Sequence, residues 1–231
     1  MAILAEVFEQ LGIESMRVAE GAMREGLLYD LLGRYTEEDA RDRTVRSMQQ
    51  RYHVDAAQAE RVENTAVNFL NQVAETWQQV SDPAIEQPLR WAARLHEIGL
   101  DVAHSGYHRH GAYLLANADM AGFPREEQKL LAIMVGGHRK KPAIEEADDL
   151  APPWDKRVAP MALLLRLAVL LHRGRSSVPL PDIKLTARPD SLELRFPPDW
   201  LDDHPLTVAD LQSEIEQLKS VGFRLRVFTA K

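Results

Sequence analysis

The chain has 231 residues, 45% of them hydrophobic, which is enough for one large domain or two small ones with a sizeable core. It contains no cysteine, which excludes a disulfide framework and any thiolate metal site, and we therefore expect a cytoplasmic protein. The formal net charge of −7 argues against generic nucleic-acid binding, and the longest apolar run, residues 161–171, is too short to span a membrane.

The first 35 residues are predicted to form a helix, a strand and a second helix. Apolar residues at helical spacing over residues 3–11 predict an amphipathic helix that stops at Gly12. Alternation over residues 14–19 predicts a short strand, and residues 22–32 predict the second helix. Because a single strand between two helices cannot form a sheet, we expect residues 1–35 to be a remnant of a larger domain.

A helical domain is predicted from residue 36 to residue 173. Thr36 is a candidate N-cap for its first, short helix. Asp55 then starts a long helix whose apolar residues repeat at helical spacing as far as Trp77. The sequence Ser-Asp-Pro at residues 81–83 ends that helix.

The last part of this domain contains an acidic stretch and a final helix. Residues 141–149, which include the sequence EEADD, are predicted to form a solvated loop, because neighbouring carboxylates cannot share one face. The final helix is predicted to begin at Asp155 or at Pro160 and to run through Leu171.

The C-terminal residues 174–231 differ in composition, with repeated prolines and short alternating stretches. Residues 183–187 and 192–196 alternate as strands do, a helix follows from Thr207, and residues 223–227 alternate again. This order predicts a small ββαβ unit with antiparallel pairing. We therefore expect a mainly α protein with a small α+β C-terminal part.

Five of the eight histidines fall within residues 89–139. His96 and His138 each end an apolar helical face, and His108 opens a helix between them. Three helices would thus bring these histidines towards one interior point. Such histidines are either core residues satisfied by a carbonyl or water, or part of a metal or anion site.

Basic residues near these histidines are the second functional signal. The densest cluster is His138-Arg139-Lys140-Lys141. Arginine and lysine gathered in a groove suit a chain of phosphates, with bidentate arginine contacts and lysine point charges. The alternative is a solvated basic run that complements the dipole at the end of a helix. Further candidate ligands for such a phosphate chain are Arg109, Lys156 and Arg157.

Two sequence patterns in residues 89–141 resemble known families. His-Glu, then His-x-x-Gly-Ala-x-x-Leu, then a later helix ending in His, resembles the HD-type metal phosphohydrolases. The fuller string LHEIG…HSGYHRH…GFPREEQ…HRK resembles the C-terminal half of the bacterial exopolyphosphatase and guanosine pentaphosphate phosphohydrolase family. The resemblance implies an HD-domain-like helical bundle at residues 36–173, followed by the ββαβ unit. It also implies that residues 1–35 end an actin-like (ribonuclease-H-like) catalytic domain, which should precede Met1.

The metal site implied by the HD resemblance is degenerate in this chain. Gln58 stands where the family has a histidine on the first helix, and Val169 stands where it has a late aspartate. Glu97 replaces the aspartate of the His-Asp pair. We therefore expect no tightly bound metal and no cofactor in this chain, although Mg is expected for the full-length enzymes. The degenerate site comprises His96, Glu97, His108 and His138.

The resemblance leaves two classes of function open. The first is the polyphosphate-binding and homodimerising part of an exopolyphosphatase, a hydrolase that in full-length form releases terminal phosphate from polyphosphate or guanosine pentaphosphate. In that class no catalytic residue is expected in this chain, since the family activates its nucleophilic water in the actin-like domain. The second is a stand-alone HD-like metal-dependent phosphohydrolase that uses the degenerate site. The polyphosphate-binding residues expected in the first class are Arg109, His138, Arg139, Lys140, Lys141, Lys156 and Arg157.

Overall fold

The chain divides into two compact units, residues 1–40 and 41–231. In the first unit, residues 8–10 are helical and Gly12 lies in a turn with a φ of +62°, in agreement with the predicted helix and its stop. The strand and second helix predicted before residue 35, and the predicted cap at Thr36, lie outside the described residues. The computed structural model describes residues 6, 8–10, 12, 40–80, 82–140, 142 and 145–229.

Helices make up most of the second unit as far as residue 171. A short 3-10 helix, Glu145–Asp149, forms in the acidic stretch that was predicted as a loop. Within the described residues, no helix combines the length and the apolar content needed to cross a bilayer. The α-helices are α1 (Ala40–Arg51), α2 (Ala56–Val73), α3 (Glu86–Leu95), α4 (Tyr107–Asn117), α5 (Arg125–Gly137) and α6 (Trp154–Leu171).

Helix α2 begins as predicted and ends earlier. The Asp55 side chain accepts a hydrogen bond of 3.0 Å from the backbone N–H of Gln58, which satisfies one of the donors that a helix start leaves free. The predicted end at residues 81–83 is wrong, because the helix stops at Val73. The Val73 carbonyl accepts from the N–H groups of Thr76 and Trp77 at 3.1 and 2.8 Å, so the chain turns there while the Trp77 ring remains buried.

Helix α6 begins at Trp154, next to the predicted start at Asp155. The alternative start at Pro160 is wrong, since Pro160 lies inside the helix. A proline there lacks the N–H for one intrahelical hydrogen bond. Almost every side chain from Val158 to Ala168 is buried, and this packing stabilises the helix despite the proline.

A three-stranded sheet follows the helices, in the order β1-β2-β3. Strand β1 pairs antiparallel with β2 across a short turn, as predicted. The predicted antiparallel pairing is wrong for β3, which runs parallel to β2. A crossover through a helix returns the chain in its original direction, so the helix between β2 and β3 accounts for the parallel pair. The elements are β1 (Lys184–Arg188), β2 (Ser191–Phe196), α7 (Pro205–Lys219) and β3 (Arg224–Thr229).

The sheet and the helices share one hydrophobic core. Leu192, Leu194 and Phe196 on β2 are fully buried and belong to the same apolar cluster as the inner faces of α2 to α6. The prediction of a mainly α protein with a small α+β C-terminal part is confirmed. The domain boundaries predicted at residues 35 and 173 stay predictions.

Candidate functional site

Three buried histidines meet at the ends of three helices, as predicted. His96 directly follows α3, His108 lies in the first turn of α4 and His138 directly follows α5. The ring centroids of His96 and His138 are 5.6 Å apart, and those of His108 and His138 are 6.2 Å apart. Each residue is at most 5% exposed, so the three rings form a buried group that we call the histidine cluster.

Hydrogen bonds fix the orientation of two rings in the histidine cluster. The Nδ1 atoms of His96 and His138 lie 2.6 and 2.5 Å from the carbonyl oxygens of Ala93 and Val135. A carbonyl only accepts, so Nδ1–H donates in both cases and Nε2 carries the lone pair. The Nε2 atom of His138 lies 3.2 Å from the Tyr107 hydroxyl, which can therefore donate to it.

Burial keeps the histidine cluster uncharged near neutral pH. Desolvation is the main cause that lowers the pKa values of His96, His108 and His138, and the pKa of His108 falls to about 4. The Nδ1 atom of His108 is buried without a hydrogen-bond partner among the described residues. The cluster thus retains an unused polar atom in the interior.

Close backbone packing places His108 in the cluster. The 3-10 turn Ile98–Asp101 lies directly against the start of α4. A β-carbon added at Gly99 would lie 2.0 Å from the Tyr107 carbonyl oxygen and 2.5 Å from the Gly111 nitrogen. Only glycine permits this approach, so Gly99 is required for the position of the first turn of α4.

The positions of the degenerate metal site do not fit a divalent metal ion. Glu97 is 6% exposed, and its carboxylate forms an ion pair with Arg175. The amide nitrogen of Gln58 donates to the His172 carbonyl oxygen at 2.8 Å, and Val169 offers no donor atom. Among the residues that the structure describes, no group of three or more His, Cys, Asp or Glu side chains is arranged to hold a metal ion.

A basic turn leaves helix α5 beside the histidine cluster, and we define it as residues 138–140. The guanidinium of Arg139 lies over the Tyr107 ring, 5.4 Å from its centroid. Lys140 is exposed and has a φ of +59°, in the left-handed region. Lys141 lies outside the described residues. The basic turn therefore presents two cations next to a buried aromatic hydroxyl.

Three cations share one neighbourhood around His108. Arg109, Arg139 and Lys140 lower the pKa of His108 in addition to desolvation, the main cause, and so does Arg166, which is paired with Glu214. Arg139 lies over the Tyr107 ring, whose centroid is 6.1 Å from that of the His108 ring. Within the described ranges, none of the three forms an ion pair with a carboxylate. This unbalanced positive charge is the electrostatic feature that can attract an anion.

Arg166 connects the basic turn to the C-terminal part of the protein. Its guanidinium is buried and donates to the carbonyl oxygens of Gly137 at 2.7 Å and Lys140 at 2.5 Å. It also forms an ion pair with Glu214 on α7. Sequence reasoning missed this role of Arg166. Because Arg166 lies within the apolar run 161–171, the sequence does indicate a buried charge there, and a buried charge needs partners of this kind.

A cleft of about 230 Å³ opens between the basic turn and α7. Arg139, Lys140 and Arg173 line it, and so does Asp210, whose carboxylate pairs with Arg173. Sequence reasoning missed Tyr107 and Arg173 as parts of this site. They carry no local signal, because the residues that surround them come from separate helices.

Two predicted phosphate ligands lie elsewhere. Lys156 and Arg157 are in the first turn of α6, and Val169 lines the cleft near its other end. A helix rises about 1.5 Å per residue, so about 18 Å separates Arg157 from Val169 along the axis. Arg157 also pairs with Asp82 at 2.8 Å. The structure therefore brings together Arg109, His138, Arg139 and Lys140, and leaves Lys156 and Arg157 apart from them.

Comparisons with known proteins agree on one family. The family model for Ppx/GppA phosphatase, domain III, matches residues 40–215. A relative from Aeromonas hydrophila, named guanosine-5'-triphosphate,3'-diphosphate pyrophosphatase, is 39% identical over 230 residues, which cover 100% of this chain and 46% of the relative. Relatives of the same name from Pseudoalteromonas translucida and Vibrio cholerae are 39% and 38% identical, over 98% of this chain and 45% of their own length. The chain spans about half the length of the curated relatives it matches.

Proposed function

We propose that this chain, which belongs to the Ppx/GppA phosphatase family through its domain III, is the part of a phosphoanhydride hydrolase that holds a phosphate chain and dimerises. The family membership confirms the resemblance inferred from the sequence. The full-length substrate we propose is guanosine pentaphosphate or linear polyphosphate, and Mg would assist its hydrolysis. The observation that carries the proposal is the set of three cations without carboxylate partners, Arg109, Arg139 and Lys140, around His108.

The electrostatics of the cleft support an anionic ligand. The carboxylates of Asp210 and Glu214 are paired with Arg173 and Arg166, so they do not leave negative charge uncompensated beside the basic turn. A phosphate chain carries about one negative charge per phosphate, and several local cations can act on it together despite the net charge of −7. Arg109 and Arg139 can bind phosphate oxygens in a bidentate way, whereas a lysine contributes a point charge.

We expect the purified chain to bind long-chain polyphosphate without hydrolysing it. Binding should be measured by calorimetry at low salt, and a phosphate-release assay should be run on the same samples with guanosine pentaphosphate as a second ligand. Heat of binding with no release of phosphate is the expected result. Phosphate release by this chain would instead favour a stand-alone HD-like hydrolase, and the absence of any binding would contradict the proposed function.

We also expect the chain to form a dimer or a larger species in solution. The sheet leaves β1 and β3 as edge strands, and Phe228 on β3 is 41% exposed. Edge strands with exposed apolar side chains favour association between chains. Multi-angle light scattering should give at least twice the mass of 26.1 kDa. A strict monomer at concentrations on the order of tens of micromolar would count against dimerisation.

A further inference from the structure

We infer that the guanidinium of Arg175 is the resident cation of the histidine cluster, and that it fills the position among Asp55, Glu97 and His96 that a divalent metal ion would take. One guanidinium nitrogen lies 3.0 Å from an Asp55 carboxylate oxygen, and the other is hydrogen-bonded to Oε1 of Glu97. That same Glu97 oxygen is 3.9 Å from Nε2 of His96. This inference does not depend on phosphate binding.

The groups around Arg175 have the chemistry of metal ligands. Glu97 is buried, and its Oε2 atom has no hydrogen-bond partner within the part of the chain that is described. Nδ1 of His96 donates to the Ala93 carbonyl, so its Nε2 lone pair is free on the side of Glu97. A ring that donates from one nitrogen and offers the other is the usual arrangement of a metal-bound histidine.

The guanidinium of Arg175 accounts for the burial of Glu97 and for the distances between the groups that surround it. A carboxylate with so little exposure requires a paired cation, and Arg175 supplies it. Guanidinium nitrogens sit about 2.8 Å from carboxylate oxygens, whereas metal ions sit about 2.1 Å from theirs. While the guanidinium is in place, the groups around it are therefore spaced too widely to ligate a metal, which agrees with the lack of a three-ligand group among the described residues.

The chain segment that carries Arg175 is held in a specific conformation. Arg175 has a φ of +53°, a region that a non-glycine residue occupies only when surrounding contacts hold it there. Its backbone N–H donates to the His172 carbonyl at 3.0 Å. Two residues earlier, Arg173 pairs with Asp210 on α7. The two arginines thus attach the segment after α6 to different partners, and Arg175 is the one that pairs with Glu97.

Removing Arg175 should convert the cluster into a metal site. We would titrate the wild-type chain and the Arg175→Ala variant with Co(II) alone, and follow visible absorption and calorimetric heat. We expect the wild type to contain no stoichiometric metal by elemental analysis. The variant should bind about one Co(II) per chain, about tenfold or more tighter than the wild type. Adding Glu97→Gln to the variant should abolish the gain, and Arg175→Lys, which keeps a cation, should not show it.

Arg173→Ala is the matched control, because it removes the same charge from the same segment without touching Glu97. An equal gain of Co(II) affinity in Arg173→Ala would overturn the inference, as would wild-type affinity equal to that of Arg175→Ala. Absence of a gain in a folded Arg175→Ala or Arg175→Gln chain would overturn it too. Circular dichroism checks that each variant is folded. A melting temperature that rises with Co(II) in Arg175→Ala alone would support the inference.

Discussion

Replacing Arg139, Lys140 and Lys141 together by alanine should weaken the binding of long-chain polyphosphate roughly 30-fold or more at low salt, which corresponds to about 2 kcal/mol. Hydrogen bonds between charged groups are the strongest contacts available to a phosphate chain. Arg139 and Lys140 lie next to His108 with no carboxylate partner in the described part of the chain, so their loss removes charge that nothing else neutralises. Calorimetric titration of both chains would measure the difference.

The salt dependence separates this local effect from a general loss of charge. Each phosphate contact that is lost should flatten the plot of log affinity against log salt by about 0.7 to 0.9. A control variant with Lys184→Ala, Arg188→Ala and Arg195→Ala removes three exposed cations from the sheet and should retain nearly wild-type affinity. Equal weakening in both variants, or unchanged binding in the first, would show that the basic turn is not the binding site.

Local patterns explain why most helices and the histidine cluster can be predicted from the sequence. Asp55 caps α2 through its own side chain, and the apolar faces that end at His96 and His138 repeat at helical spacing. A histidine at the end of such a face points inward with it. The convergence of the three rings then follows from packing the helices on those faces, and no long-range contact has to be known in advance.

Contacts between distant segments explain what the sequence could not predict. The parallel pairing of β3 depends on the crossover through α7, and alternation within residues 224–229 does not reveal its direction. The ion pair of Arg175 with Glu97 joins residues 78 positions apart. Likewise, Lys156 and Arg157 are basic and close in sequence to the cluster, yet the length of α6 carries them away from the cleft.

Lowering the pH from 7 to about 4.5 should reduce the free energy of unfolding by several kcal/mol. Burial, more than any neighbouring charge, lowers the pKa values of His108 and His172 from 6.5 to about 4, and it also lowers those of His96 and His138. In the unfolded chain these histidines bind protons below pH 6.5, whereas in the folded protein they remain neutral. The unfolded state therefore binds more protons, and stability falls as the pH decreases through this window.

The magnitude makes this one of the largest effects expected for the protein. One pKa unit corresponds to about 1.4 kcal/mol, so His108 and His172 alone can each remove about 3 kcal/mol once the pH reaches about 4. Domains typically have only about 5–15 kcal/mol of stability in total. Asp55, whose pKa is lowered from 3.8 chiefly by the Gln58 backbone N–H, loses its contribution only at lower pH and does not obscure the window.

Urea unfolding at several pH values between 7 and 4.5 would measure this effect, with the slope of stability against pH as the readout. His108→Gln and His172→Gln should each flatten the slope, because each removes one buried titrating group, whatever the variant does to stability at pH 7. His53→Gln is the control for the substitution itself, since its side chain is 78% exposed and lies outside the histidine cluster. A free energy of unfolding that stays constant over this range would mean that the histidines titrate alike in the folded and unfolded chain, and that the cluster is not kept neutral by burial.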